Sequence, residues 1–306
     1  MRVLFAGTPA VAIPSLEALV AAGFEVVAVL TRPDAPFGRK RVLTPSPVAV
    51  RAAELDIPVI RAARVDAAVT ESIAAHRPDV AAIVAYGALV PTPALDVPRH
   101  GWINLHFSLL PAWRGAAPVQ HAIINGDDVT GASTFQLEAG LDTGPVFGTL
   151  TEPIRATDTS AELLGRLSHS GAVLLVQTLS AIGGGRAAAV PQHGDVTLAP
   201  KLTGEDGRVR WHDPALAVGR RIRGVTAEPG AWTLLDGQRF KLGPVSMRPD
   251  IRQLAPGRLE LTGGTVAVGT GSYAVELDWV QPAGKKMMFA RDWARGLAGR
   301  ERVDFE

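Results

Sequence analysis

The sequence contains no cysteine, which excludes several classes of site at once. Without thiols the chain has no disulfide, no thiolate zinc site, no iron–sulfur cluster and no cysteine nucleophile. The lack of cysteine also fits a reducing compartment. No apolar run approaches the roughly 18 residues that a membrane helix needs, and Met1–Ala6 lacks the features of a secretory signal. We therefore expect a cytoplasmic protein with no membrane span.

Neither sign of charge is in clear excess over the 306 residues, since the formal charge is +1. The two parts of the chain nevertheless differ. Residues 1–200 carry 14 basic and 17 acidic side chains, whereas residues 201–306 carry 17 basic and 13 acidic ones. A basic C-terminal part is compatible with a polyanionic partner, and equally with ordinary surface charge.

Several common motifs are missing as well. The first turn, Gly7-Thr8-Pro9, has one glycine where a dinucleotide-binding fingerprint needs three. The sequence has no phosphate-binding loop for ATP and no His-Glu-x-x-His, and its seven histidines are scattered, so we expect no metal. Asp142-Thr143-Gly144 matches the aspartic-protease triplet, but a single-chain protease needs a second copy, and there is none.

Strand and helix patterns alternate over the first 180 residues, which predicts an α/β domain with a doubly wound, mostly parallel sheet. The predicted strands include Val3–Ala6, Glu25–Thr31, Val80–Val84, Gly101–His106, Ser133–Glu138 and Val146–Glu152, and the predicted helices include Ile13–Ala22, Pro47–Leu55 after a Ser46 cap, and Ser160–Ile182. Short apolar runs separated by Gly and Pro follow, as in a small β-barrel. We expect a first domain at 1–188, a linker at 189–206 and a second domain at 207–306.

The most informative segment is Gly101–Gly115. Asn104 and His106 are two residues apart at the end of a predicted strand, so their side chains point to the same face. That strand end is where open α/β sheets place ligands. Asp142 supplies a carboxylate from a turn. An amide that donates to an oxyanion, a histidine that acts as acid or base and an aspartate that orients it can together perform acyl transfer.

These residues resemble the folate-dependent formyltransferases. The resemblance rests on Asn104-Leu-His106, Ser108-Leu-Leu-Pro111 and Leu141-Asp-Thr-Gly144. Longer matches favour the branch of the family that acts on methionyl-tRNA: Phe5-Ala-Gly-Thr-Pro9, Trp113-Arg-Gly-Ala-Ala-Pro118 and Gln281-Pro-Ala-Gly-Lys-Lys286. The resemblance implies 10-formyltetrahydrofolate as formyl donor, the amino group of methionyl initiator tRNA as acceptor, and a C-terminal β-barrel similar to an OB-fold.

The resemblance also implies roles for residues. Catalysis would fall to Asn104, His106 and Asp142. The expected folate-binding residues are Ser108, Leu109, Leu110, Pro111, Val84, Tyr86 and Gly87, although core packing is an alternative for Val84 and Tyr86. The expected tRNA-binding residues are Arg39, Lys40, Arg41, Arg221, Lys285 and Lys286. The alternative for each basic run is a solvated surface.

The chain departs from the family pattern at two positions. Phe107 replaces a usual glycine and would be strained at a positive φ, and Ala112 replaces a frequent arginine. Two other functions remain open: formylation of a small amine such as an amino sugar nucleotide or glycinamide ribonucleotide, and an inactive RNA-binding protein. We expect a monomer.

Overall fold

The computed structural model describes residues 1–38, 40–262, 264–297 and 302–306. Contacts divide the chain into two units, which interleave along the sequence. The N-terminal unit comprises residues 1–115, 129–153 and 164–199, and the C-terminal unit comprises residues 116–128, 154–163 and 200–306. The contiguous domain boundaries expected from the sequence therefore stay a prediction.

The elements up to residue 199 are β1 (Arg2–Gly7), α1 (Ile13–Ala21), β2 (Glu25–Thr31), β3 (Ala35–Phe37), β4 (Val42–Thr44), α2 (Pro47–Glu54), β5 (Val59–Arg61), α3 (Ala67–Ala75), β6 (Val80–Val84), α4 (Thr92–Leu95), β7 (Trp102–His106), β8 (Arg114–Gly115), α5 (Pro118–Asn125), β9 (Val129–Gln136), β10 (Val146–Pro153), α6 (Ser160–Gly183) and β11 (Leu198–Ala199). The elements that follow are α7 (Ala215–Gly224), β12 (Ala231–Leu235), β13 (Gln238–Leu242), β14 (Val245–Arg248), β15 (Leu259–Thr262), β16 (Thr265–Val268), β17 (Ala274–Leu277), β18 (Trp279–Gln281), β19 (Met288–Phe289) and α8 (Ala290–Ala294). Short 3-10 helices cover Ala10–Ala12, Glu205–Gly207 and Arg295–Leu297.

The N-terminal unit is built on a sheet with the strand order β10-β9-β7-β6-β1-β2-β5. The five neighbouring strands β7, β6, β1, β2 and β5 are parallel to one another. The strand β9 is antiparallel to β7, and β10 is antiparallel to β9. Every residue of β6 is buried, as expected of a central strand with both faces covered. The prediction of a mostly parallel α/β sheet is confirmed.

Local sequence signals explain where the helices begin and end. The Ser46 hydroxyl accepts a hydrogen bond from the amide of Ala49 at 3.1 Å, and Pro47 is the first residue of α2, as predicted. The helix α5 ends at Gly126, whose φ of +88° suits a residue without Cβ. The predicted long helix at Ser160–Ile182 is α6, which is one residue longer.

The C-terminal unit is rich in β-structure, with two sheets of order β12-β13-β18-β19 and β14-β17-β16-β15. Their apolar side chains share a core with α7 and α8, in which Phe240 packs against Trp293 and Phe305 at centroid distances of 4.7 and 5.1 Å. The helices α5 and α7 also pack against each other in this unit. This architecture agrees with the small β-domain expected from the spacing of the strands.

The segment that joins the two predicted domains is held by backbone hydrogen bonds. Val190 forms a β-bridge with Val146, and β11 pairs with β8 in parallel. A local reading of the sequence predicts a linker here because these partners are far away in sequence. Among the described residues, no helix combines the length and apolar character needed to cross a membrane.

Candidate active site

Asn104 and His106 lie where the sequence predicts, at the carboxyl end of β7. They pair with Phe135 and Ser133 of β9, so the four side chains share one face of the sheet. The ring of His106 meets that of Phe135 nearly edge-on, with centroids 6.3 Å apart. The apolar neighbour helps to exclude water from one side of the imidazole.

The imidazole of His106 is buried and fixed by a backbone contact. Its Nε2 lies 2.9 Å from the carbonyl oxygen of Trp113, and since a carbonyl only accepts, the proton in this contact is on Nε2. Burial lowers the pKa of His106, an effect partly opposed by the charge of Asp142 and by the Trp113 carbonyl. The neutral ring therefore presents an unprotonated Nδ1, which can accept a proton.

Asp142 reaches His106 from the loop between β9 and β10. One carboxylate oxygen, Oδ2, accepts the amide hydrogen of Gly115 at 2.7 Å and lies 3.7 Å from Nδ1 of His106. The latter distance is too long for a hydrogen bond. The orienting partner of His106 is thus the carbonyl of Trp113, and Asp142 acts on the ring through its charge.

The side-chain amide of Asn104 has no hydrogen-bond partner among the described residues, and the residue is only half-buried. Polar side-chain atoms that are shielded from solvent usually have a hydrogen-bond partner in the protein or in ordered water. Asn104 is therefore free to donate to a group bound beside His106. Within the part of the chain that the structure describes, no three His, Asp or Glu side chains cluster closely enough to hold a metal.

The loop after β7 is held by hydrogen bonds that the sequence does not signal. The Ser133 hydroxyl donates to the carbonyl of Ser108 at 2.7 Å and accepts from the amide of Leu110 at 3.2 Å. The hydroxyl of Ser108 is itself engaged, since it donates to the carbonyl of Ala112. No local pattern marks Ser133, because its role depends on the pairing of β9 with β7.

The remaining residues of this loop are placed as follows. Leu109 and Leu110 are half-buried and Pro111 is buried. Phe107 is buried, and its φ is not positive, so the strain considered from the sequence is absent. Further along, the amide of Trp113 donates to Oγ1 of Thr197 at 2.8 Å, a second contact without a local sequence signal.

The end of β6 and the residues after it contain three of the expected folate-binding residues. Val84 is fully buried, and Tyr86 is buried with its hydroxyl donating to the carbonyl of Ala62 at 3.3 Å. Both side chains thus belong to the core, which was the alternative to folate contact. Gly87 is exposed with a φ of +86°, and the Tyr86 carbonyl that precedes it accepts a hydrogen bond from the Thr8 hydroxyl at 2.7 Å.

The predicted tRNA-binding residues differ in accessibility. Arg39 lies outside the described residues. Lys40 and Arg41 are exposed between β3 and β4, and Lys285 and Lys286 are exposed between β18 and β19. In contrast, Arg221 is half-buried and donates to the carbonyl of Asp206 at 3.1 Å, and burial lowers its pKa.

A surface that the sequence does not reveal lies on the sheet β12-β13-β18-β19. We call the side of this sheet that carries Arg239 and Lys241 the outer face, and the strand pairing assigns to it Trp232, Leu234, Arg239, Lys241, Trp279, Gln281 and Phe289. Of these, Trp232 is buried, and its Nε1 donates to the carbonyl of Gly204 at 2.6 Å. The guanidinium of Arg239 stacks on Trp232 at 3.9 Å, and Trp279 packs on Phe289 at 4.1 Å. Arg239 and Lys241 are exposed. Cations beside aromatic rings are typical of nucleic-acid-binding sheets.

Comparisons with known proteins agree with this geometry. The family model described as Formyl transferase matches residues 1–179, and the one described as Formyl transferase, C-terminal domain, matches residues 201–298. A relative from Arthrobacter sp. (strain FB24), named methionyl-tRNA formyltransferase, is 74% identical over 306 residues, covering 100% of both chains.

Solved structures share the fold. An N-formyltransferase from Helicobacter canadensis, in complex with folinic acid and dTDP-3-aminofucose, aligns with a TM-score of 0.69 at 16% identity, covering 92% of this chain and 99% of that one. A methionyl-tRNA formyltransferase from Clostridium thermocellum aligns with a TM-score of 0.58 at 15% identity, covering 81% and 94%. Together with the family models and the close relative, these findings establish that the chain belongs to the formyl transferase family.

Proposed function

We propose that this protein transfers a formyl group from 10-formyltetrahydrofolate to the amino group of methionyl initiator tRNA, giving N-formylmethionyl-tRNA for translation initiation. The observation that carries the proposal is that Asn104, whose amide has no hydrogen-bond partner among the described residues, lies on the same face of β7 as the neutral, buried His106. The full-length relative named methionyl-tRNA formyltransferase supports the choice of acceptor.

The folate supplies a formyl carbon bound to nitrogen, and the residues around β7 suit its transfer to an amine. The amide of Asn104 donates to the formyl oxygen, where negative charge develops. The unprotonated Nδ1 of His106 accepts the proton that the attacking amine loses and returns it to the nitrogen that leaves. The carboxylate of Asp142, 3.7 Å from Nδ1, stabilises the imidazolium formed in between.

The folate would be held by two segments beside this face. Gly87 is exposed, and the loop Ser108–Pro111 is fixed in place by Ser133. Backbone groups of these segments that are not already bonded within the protein would suit a flat heterocycle such as a pterin. The side chains of Val84 and Tyr86 are buried and the Tyr86 carbonyl is bonded to Thr8, so we propose no folate contact through these groups.

The tRNA would be bound through exposed cations in each unit. Lys40 and Arg41 in the N-terminal unit, and Lys285 and Lys286 in the C-terminal unit, are free to neutralise phosphates. The outer face adds Arg239 and Lys241 to this set. We do not assign phosphate binding to Arg221, because it is half-buried and its guanidinium donates to the carbonyl of Asp206, whereas Arg239 is exposed although it also donates to the carbonyl of Gly204.

The two other functions use only part of these features. A formyltransferase for small amines needs the trio of Asn104, His106 and Asp142 but no exposed cations on a second unit. An inactive RNA-binding protein needs the outer face but not an unpartnered amide beside a neutral histidine. Only formyl transfer to an aminoacyl-tRNA uses both the catalytic trio and the exposed cations of the second unit.

The test is a formylation assay with purified protein and 10-formyltetrahydrofolate. Methionyl initiator tRNA, glycinamide ribonucleotide and an amino sugar nucleotide are compared as acceptors at matched concentration. We expect formylation of methionyl-tRNA with a kcat/KM above that for either small amine. Formylation of a small amine alone would favour the first alternative, and tRNA binding without any formyl transfer would favour the second.

A further inference from the structure

The side chain of Gln192 makes an unusually complete set of contacts. Its Oε1 accepts from Nε and Nη2 of Arg114, at 3.1 and 2.7 Å. Its Nε2 donates to the carbonyl oxygens of Asp142 and Gly144, both at 2.8 Å. The amide thus uses both of its donors and both acceptor lone pairs in one place. Gln192 lies in the segment predicted as a linker, far in sequence from all of these partners.

The two segments that Gln192 joins are those that support His106. Arg114 directly follows Trp113, whose carbonyl fixes Nε2 of His106. On the other side, Asp142 presents its carboxylate to Nδ1 of the same ring. One amide therefore connects the backbone that orients the histidine with the loop that carries its charged partner.

The loop around Asp142 depends on contacts of this kind. Asp142 has a φ of +49°, a left-handed conformation that is unfavourable for a residue with a Cβ. Such a conformation persists only where the surrounding structure imposes it. Gln192 donates to the carbonyl of Asp142 and to the carbonyl of Gly144 two residues later, and the bond from the Gly115 amide to Oδ2 fixes the carboxylate itself.

We infer that Gln192 is a positioning residue for formyl transfer, which holds the carboxylate of Asp142 at its distance from His106. This inference rests on the proposed function, in which Asp142 stabilises the charged imidazole. All hydrogen-bonding positions of the Gln192 amide are taken by the protein, so we expect its effect on the rate of transfer and not on substrate binding. The Nε2 group of Gln192, and not its Oε1, makes the contact with Asp142.

Two variants distinguish the role of the donor group Nε2 from that of the acceptor Oε1. Gln192→Glu keeps an acceptor for Arg114 but loses both donors to the Asp142 loop, whereas Gln192→Met loses all four bonds. For both we expect kcat to fall about tenfold to a hundredfold, as for partners that orient a catalytic group, with KM for each substrate within about twofold. The control is Gln177→Glu, which makes the same charge change at an exposed position of α6.

The second readout is hydrogen exchange of the Gly115 amide, followed by NMR at constant pH. If Gln192 places the carboxylate, this amide exchanges faster in both variants while the melting temperature and the exchange of core strands stay as in the control. A kcat for Gln192→Glu equal to that of Gln177→Glu, or unchanged Gly115 exchange in both variants, would overturn the inference. Absence of formylation by the wild type would refute the proposed function alone, since Gly115 exchange reports on the placement of Asp142 without any substrate.

Discussion

Replacing Asn104 by alanine removes an amide that the protein does not use for its own stability. The side chain is half-buried and has no hydrogen-bond partner among the described residues, so we expect the free energy of unfolding to change by no more than about 1 kcal/mol. Loss of one donor to a developing oxyanion costs about 2.7–4 kcal/mol of transition-state stabilisation, which corresponds to a kcat lower by about 10²–10³. The loss of transition-state stabilisation should therefore exceed the change in the free energy of unfolding severalfold.

The assay is single-turnover formylation of methionyl-tRNA, combined with urea unfolding of the same samples. Asn125→Ala is the matched control, because Asn125 is exposed and its amide binds only the side chain of Asp127 in the described structure. We expect this control to transfer formyl at the wild-type rate. A rate for Asn104→Ala within about threefold of the control would refute the assignment of Asn104 as the oxyanion donor, since that is far below the effect of a missing donor.

Burial should place the pKa of His106 below its ordinary value of 6.5, and Asp142→Asn should lower it further because the opposing charge is removed; both are measured by NMR titration of the ring protons. Replacing Arg239 and Lys241 together by alanine should weaken tRNA binding. The slope of log K against log salt concentration should become shallower by about 0.9 for each phosphate that is no longer neutralised, and a slope equal to that of the wild type would contradict the assignment. Phe240→Ala should lower the free energy of unfolding by about 3–5 kcal/mol because the ring is buried in the C-terminal core, as measured by urea titration.

Features of the fold that depend on local signals could be predicted from the sequence. The cap at Ser46, the buried run of β6 and the length of α6 all follow from side chains within one element. The shared face of Asn104 and His106 follows from the two-residue period of a strand, and pairing with β9 agrees with it. These are the parts of the site that need no knowledge of distant contacts.

The parts that the sequence does not predict depend on residues that meet only in the folded chain. Gln192 contacts Asp142 across 50 positions and Arg114 across 78, and nothing around Gln192 signals either partner. The backbone carbonyl of Trp113, which orients His106 in place of Asp142, carries no sequence signal at all. The outer face became visible only with the register of β12, β13, β18 and β19, because alternation sorts the side chains of short strands only after they are paired.

Formyl transfer itself is tested most directly by following labelled formyl from 10-formyltetrahydrofolate to methionyl initiator tRNA, in one turnover, with the wild type and with His106→Gln. We predict labelled N-formylmethionyl-tRNA with the wild type, and a rate for His106→Gln lower by about 10²–10⁴, the range for removal of a general acid–base group. Equal rates for the two proteins, or no label on the tRNA with the wild type, would contradict the proposed function and its mechanism.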